Sequence, residues 1–351
     1  MSKNSPKISI IIPVYNAEKF INQTVDSVLC QTYDNIEILL VDNKSKDKSL
    51  EIIKAYEKKD KKIKVYQEND KQSVGAARNL GIKKATGEYI TFIDADDIAQ
   101  PFLVEKLIDN ALLNKTDIVY GLSARKGSLK TYGVLFKCNK PEDFKKNFNK
   151  ISVIHGVLYK KSFLDNNNIT YHEGVLTGQD WVFNTTCIFN TDKISKEPTI
   201  VYTYIKQDGS LSTVFNEKFL TKTVLSEAQI KLFKEKNLIG DKRYNRALFK
   251  TLFKTYFNTR RQLRSDLSAR FKNEYLDMIA REGLTKTFYI YKTLFHIKKN
   301  LLNIVLLSLL YIANTANTAF ALKVTFNTLA VIYVAHILNT IRKRNKRKAK
   351  K

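Results

Sequence analysis

The chain has 351 residues, and its 60 Lys and Arg against 34 Asp and Glu give a net charge of +26. An apolar content of 44% with 18 Tyr and 20 Phe excludes a disordered polypeptide and predicts a core of ordinary size plus a second region. Three cysteines, Cys30, Cys138 and Cys187, lie far apart without CxxC spacing, which argues against a disulfide framework or a zinc site and fits a reducing cytoplasm.

From the N-terminus, "ISIII" (8–12) reads as a buried strand; it is too short for a secretory leader and Pro13 breaks it. An amphipathic helix is expected over 18–31, a strand at 36–42, a helix near 47–58, a strand at 62–67, a helix from about 74 to 85 and a strand at 89–94. This alternation predicts an open, mostly parallel α/β sheet with flanking helices, in which ligands gather outside the carboxyl ends of the strands. After Pro101 the beat weakens. Strands are expected at 117–121, 131–136 and 155–159, and a helix over 178–189 with Asp180 in its first turn.

From about 215 the text is helical, Lys-rich and aromatic. Residues 300–322 and 324–341 carry no charged side chain, yet hold several Asn, and eight of the last ten residues are basic. Two readings compete for this end: a helical hairpin inserted in a membrane with its basic ends on the cytoplasmic side, or a soluble helical bundle used for self-association. The expected division is 1–213, with halves 8–120 and 121–213, then a helical region 214–299 and an apolar segment with a basic tail, 300–351.

The polar residues at the strand ends carry the chemistry. "DADD" (94–97) crowds Asp94, Asp96 and Asp97 after a strand, an arrangement that suits Mg²⁺ or Mn²⁺ shared with substrate phosphates. The competing reading is a cap box favoured by the dipole of the following helix. Asp42, Asn43 and Ser45 can read the edge of a base. Arg78 supplies a guanidinium near the same rim, and Gly75, Ala76 and Ala77 let a helix start approach a ligand.

Residues 8–97, from "ISIIIPVYNAEKF" through "ILLVDNKS" and "SVGAARN" to "YITFIDADD", resemble the donor-binding half of family 2 glycosyltransferases of the GT-A fold. The resemblance implies that Tyr15 and Pro13 flank a nucleobase, that Asp42 and Asn43 read its edge, and that Asn69, Arg78, Asp94 and Ala95 complete a nucleotide-sugar pocket. Asp96 of the DxD motif would hold Mn²⁺ or Mg²⁺, with Asp97 as its supporting partner or a cap. In "GVLTGQDWVF", Asp180 falls on the family's general base, while Gln179 stands where relatives carry Glu. Trp181 is either a floor for an acceptor sugar or a core aromatic. The loop 205–213 resembles one that closes over donor or acceptor, with Lys206 where relatives often have Arg. His155 and His172 are isolated, and core or surface roles are expected for both.

The expected function is an inverting, metal-dependent hexosyl- or N-acetylhexosaminyltransferase. Its donor is a nucleoside-diphosphate sugar, a UDP-sugar first, and its acceptor a glycan, a teichoic-acid-like polymer or a lipid-linked sugar. It would act in the cytoplasm at the inner face of the cell membrane, held by an anionic surface and open to homo-oligomerisation. The alternative is a non-catalytic basic module that binds membrane or another polyanion. Nucleic acid is disfavoured for want of a groove-reading motif, and a dinucleotide oxidoreductase for want of an early GxGxxG.

Overall fold

The computed structural model describes residues 5–71, 73–126, 131–133, 138–148, 151, 155–173, 175, 178–205, 222–239, 244, 248, 252, 255, 256 and 265–285. The chain divides into two compact units, Met1–Gly283 and Leu284–Lys351. No helix among the described residues is long and apolar enough to cross a membrane. The expected apolar segments at 300–341, the basic tail, the interfacial stretch 285–299 beyond Thr285, and the loop 206–213 lie outside the described residues.

The first half follows the alternation of its sequence: β1 (Ile8–Val14), α1 (Ile21–Leu29), β2 (Ile36–Asp42), α2 (Ser49–Lys59), β3 (Ile63–Gln67), α3 (Val74–Lys84) and β4 (Tyr89–Phe92). Every residue of β1, β2 and β4 is buried, as expected of parallel strands covered on both faces. β1 pairs in parallel with β2 on one side and β4 on the other, with Val14 opposite Asp42 and Ile11 opposite Phe92. α1 buries Ile21, Thr24, Val25 and Val28, one stripe at helical spacing. Ser73 caps α3 by accepting the N–H of Ala76 at 3.1 Å.

The second half adds β5 (Ile98–Ala99), α4 (Leu103–Asn114), β6 (Ile118–Arg125), β7 (Thr131–Gly133), α5 (Pro141–Asn147), β8 (Val157–Lys160), α6 (Lys161–Asn166), α7 (Gln179–Asn190) and β9 (Ile194–Tyr204). The strand order is β3-β2-β1-β4-β8-β6-β9-β5, with β7 alongside β6. β8 runs antiparallel to both β4 and β6, so the sheet is mixed beyond β4. The long β9 is absent from the sequence expectations because its first half reads Lys196-Glu197-Pro198, which suppresses a strand signal. The ladder absorbs that segment as a register shift: Tyr120 faces Lys196, and Leu122 faces Ile200.

α7 is locked to the sheet by two devices. Asn184 Oδ1 accepts the buried hydroxyls of Tyr120 at 3.1 Å and Tyr159 at 2.8 Å. Phe183 stacks on Tyr171 with centroids 4.0 Å apart and meets Phe92 and Tyr159 edge-on. The helical region then packs outward from α7. α8 (Lys222–Glu235) sends Leu225 into a cluster with Val175 and Val182, and Phe233 against Phe189. The last described helix, α9 (Ser265–Arg281), ties back to α8 through Tyr275, whose hydroxyl bonds to Ser226 Oγ at 3.1 Å.

Candidate active site

The carboxyl ends of β1, β2 and β4 form one rim. At the first, Pro13 is buried and Tyr15 is partly exposed. At the second, Asp42 and Asn43 are both buried. Asp42 Oδ2 accepts the N–H of Ser45 at 3.3 Å, while its Oδ1 has no partner among the described residues. A buried carboxylate oxygen without a donor is costly, so this atom is suited to a donor from a ligand. Asn43 uses its amide on the carbonyl of Lys71 at 3.0 Å, which fixes the β3–α3 loop. Asn69 lies exposed on that loop.

The centre of the site is Arg78, on the second turn of α3, with a side chain only 3% exposed. Its Nη1 donates to Asp180 Oδ1 at 2.6 Å and its Nη2 to Asp94 Oδ1 at 2.8 Å. Its guanidinium carbon stands 5.1 Å from the centre of the Tyr171 ring. Burial opposes the charge of Arg78, but Asp180 and Asp94 outweigh it and raise the pKa. The positive group demanded by the crowded carboxylates is thus supplied in part by the chain itself.

The carboxylates differ in environment. Burial pushes Asp94 up, but Arg78 and His155 bring it below the usual carboxylate range. Burial leaves Asp180 raised, despite the opposing charge of Arg78. Burial and the charge of Asp94 push Asp96 up to about 6. The same two causes push Asp97 up to about 8. Asp97 accepts the Tyr202 hydroxyl and the N–H of Ile205, each at 2.7 Å, so it anchors the turn to β9. Thr24 holds the turn from the other side by donating to the carbonyls of Ala95 and Asp97, both at 2.9 Å.

Two side chains in this setting carry no readable motif. Tyr202 accepts the N–H of Asp94 at 3.1 Å and so links Asp94 to Asp97. His155 presents Nδ1 to the carboxylates of Asp94 and Asp97, and donor atoms from all three residues lie within 4.8 Å of one another. Carboxylates flanked by an imidazole are donors of the kind a divalent cation takes.

Other expectations resolve differently. The space beside Gly75 belongs to the protein: a Cβ there would stand 2.5 Å from Gln179 Oε1 and 2.7 Å from the His172 carbonyl, so the glycine brings α3 against α7. Gln179 is buried, and its Oε1 has no partner among the described residues. Trp181 is partly buried against the Val175, Val182 and Leu225 cluster and stacks on Phe148 at 6.3 Å. His172 is lowered by burial alone. An open groove of 610 Å³, lined by Lys145, Lys160 and Lys193 among others, contains none of these residues.

A family model described as glycosyl transferase family 2 matches residues 9–170. The uncharacterized glycosyltransferase EpsJ of Bacillus subtilis (strain 168) is 32% identical over 221 residues, 60% of this chain and 64% of that protein. A poly(ribitol-phosphate) beta-glucosyltransferase of Bacillus spizizenii (strain ATCC 23059 / NRRL B-14472 / W23) is 35% identical over 214 residues, 59% of this chain and 34% of that protein. The chain spans about a third to two thirds of the length of the curated relatives it matches. Among solved structures, that of S. aureus TarS in complex with UDP shares the fold, with a TM-score of 0.66 and 20% identity over 82% of this chain and 87% of that one.

Proposed function

We propose, from the match of residues 9–170 to the family model described as glycosyl transferase family 2, that the protein is an inverting glycosyltransferase using a UDP-sugar and a divalent cation. One observation carries the reading. Asp94 beyond β4 and Asp180 at the start of α7 bond to the same buried Arg78, 16 and 102 residues away, which puts an acid from each half of the chain at one site.

The roles follow from the chemistry of each group. The unpartnered Oδ1 of Asp42 accepts an N–H from the uracil edge, beside Pro13 and Tyr15. The diphosphate lies over the turn at Asp94, Ala95 and Asp96. Asp94 and Asp96 would hold Mn²⁺ or Mg²⁺, which supplies positive charge for the leaving diphosphate. Asp180 takes the proton of the acceptor hydroxyl as that oxygen bonds to the anomeric carbon. The bond to UDP breaks on the opposite face, so the configuration inverts. A raised pKa makes Asp180 a better base, and Arg78 holds it in orientation.

The acceptor is proposed to be an anionic glycan, of teichoic-acid type, or a lipid-linked sugar. The net charge of +26 and the name of the B. spizizenii relative support this choice. In the proposed division, residues 1–213 form the transferase unit, 214–299 guide the acceptor or join copies, and 300–351 bind the anionic inner face of the cell membrane. The test is turnover of a panel of UDP-, GDP- and CDP-sugars with Mn²⁺ or Mg²⁺. Cation-dependent cleavage of a UDP-sugar that is lost in Asp180→Asn and Asp96→Ala is expected. Turnover retained in both variants would overturn the reading.

A further inference from the structure

His155 stands just before β8, and the next residue, Gly156, adopts a left-handed backbone with φ +67°. A Cβ at Gly156 would lie 3.0 Å from Val201, and the Gly156 carbonyl accepts the N–H of Gly121 at 2.8 Å. The position therefore favours glycine twice, by backbone and by space. Because β8 is antiparallel to β4, with Leu158 opposite Thr91, the beginning of β8 lies beside the end of β4 where the Asp94 turn starts.

The imidazole is held by aromatic neighbours, its ring centre 4.9 Å from that of Tyr202 and 6.0 Å from that of Tyr204. Nδ1 is buried and has no hydrogen-bond partner among the described residues. It lies 3.8 Å from Asp94 Oδ2 and 3.7 Å from Asp97 Oδ2. Those separations exceed hydrogen-bond reach. They fall inside the range open to two ligand atoms on one ion: donors ~2.1 Å from a metal stand roughly 3.0 Å apart at a right angle and roughly 4.2 Å apart when opposed. Asp97 is oriented by Tyr202 and Ile205, and each of its oxygens keeps a lone pair.

We propose, on the transferase reading above, that His155 through Nδ1 and Asp97 add to Asp94 and Asp96 in ligating the divalent cation, and that this nitrogen makes the site prefer Mn²⁺ to Mg²⁺. Mg²⁺ takes oxygen ligands and gives up water reluctantly, whereas a transition-metal ion accepts an imidazole. The turn that leads into β8 thus contributes a ligand that the acidic turn alone does not have.

The experiment is pulsed electron paramagnetic resonance on the full chain with Mn²⁺ and UDP, reading nitrogen coupling to the bound ion. Alongside it, Mn²⁺ affinity is measured from the free-ion signal, with Mg²⁺ as competitor. Nitrogen coupling is expected in the wild type and absent in His155→Ala. Affinity in that variant should fall by about tenfold or more, since even loss of an outer-shell partner costs this much. His155→Asp, with oxygen alone, should narrow the preference for Mn²⁺ over Mg²⁺. Bound Mn²⁺ without nitrogen coupling in the wild type, or coupling that survives in His155→Ala, overturns the assignment and leaves the transferase reading intact. Nitrogen coupling with UDP-sugar turnover undiminished in Asp180→Asn supports the ligand and removes the proposed base. No Mn²⁺ binding with UDP present overturns both the ligand and the cation's part in the reaction.

Discussion

Tyr202 donates its phenolic hydrogen to Asp97 Oδ2 at 2.7 Å while its oxygen accepts the backbone N–H of Asp94 at 3.1 Å. One hydroxyl on β9 thereby fixes both ends of the acidic turn. Tyr202→Phe keeps the ring and deletes the link, leaving a buried acid and a backbone N–H without that partner. The expected loss is about 1–3 kcal/mol, read by urea unfolding. Turnover should fall as well, because the turn that carries Asp96 loses a tether.

Arg78 spans two carboxylates with a rigid fork, and lysine cannot reproduce that geometry. Arg78→Lys should retain the fold but lower kcat by about 10²-fold, the scale of a misplaced catalytic group. Arg78→Ala should also lose stability, because Asp94 and Asp180 would face each other without compensation. Steady-state kinetics with thermal unfolding separates the two effects. A kcat for Arg78→Lys within about twofold of wild type would refute the positioning role.

Glu37 offers a pH test away from the site. Burial tends to raise its carboxyl, but hydrogen bonds from Lys7, Ser9 and Thr86 bring it down to about 2. The group is depressed in the folded state, so its contribution is full above the ordinary glutamate value of about 4.3 and is lost as the pH falls from there. Its side chain is 11% exposed, so solvent screens it little. Unfolding free energy should drop between about pH 5 and pH 2.5, and the Glu37→Gln variant should show a shallower slope over the same interval.

Gly75→Ala would force a methyl to within 2.5 Å of Gln179 Oε1 and 2.7 Å of the His172 carbonyl. Only the first neighbour is a side chain able to move. A loss of about 1–3 kcal/mol is expected. Adding Gln179→Ala should recover only part of it, since the carbonyl remains. Full recovery in the double variant would show that α3 and α7 are less closely constrained than their backbones indicate.

The parallel half was legible because its strands are continuous apolar runs and its helices carry single stripes: β2 spans the expected residues 36–42, and α3 ends within a residue of expectation. The gathering of the strand-end residues at one edge was legible for the same topological reason, since parallel strands deliver their following residues to one side of the sheet. β9 was hidden by Pro198, whose cost is absorbed by a register shift that no local pattern announces. The neighbourhood of His155 was hidden too. An isolated histidine has no spacing to read, and only the antiparallel pairing of β8 with β4 brings it to the acidic turn. Tyr202 likewise has no local pattern to read, and its polar work depends on Asp97 and Asp94, 105 and 108 residues away.

β4 is covered on one flank by β1 and on the other only by β8, which lies some sixty residues further along the chain. During synthesis the apolar segment Tyr89–Phe92 therefore waits with open backbone groups until Val157–Lys160 emerges. A fragment cut near residue 120 would keep the loops that follow β1, β2 and β4 but expose a bare, apolar strand, the kind of border that recruits other chains. Such a fragment should aggregate unless a chaperone or a supplied β8 peptide seals that seam.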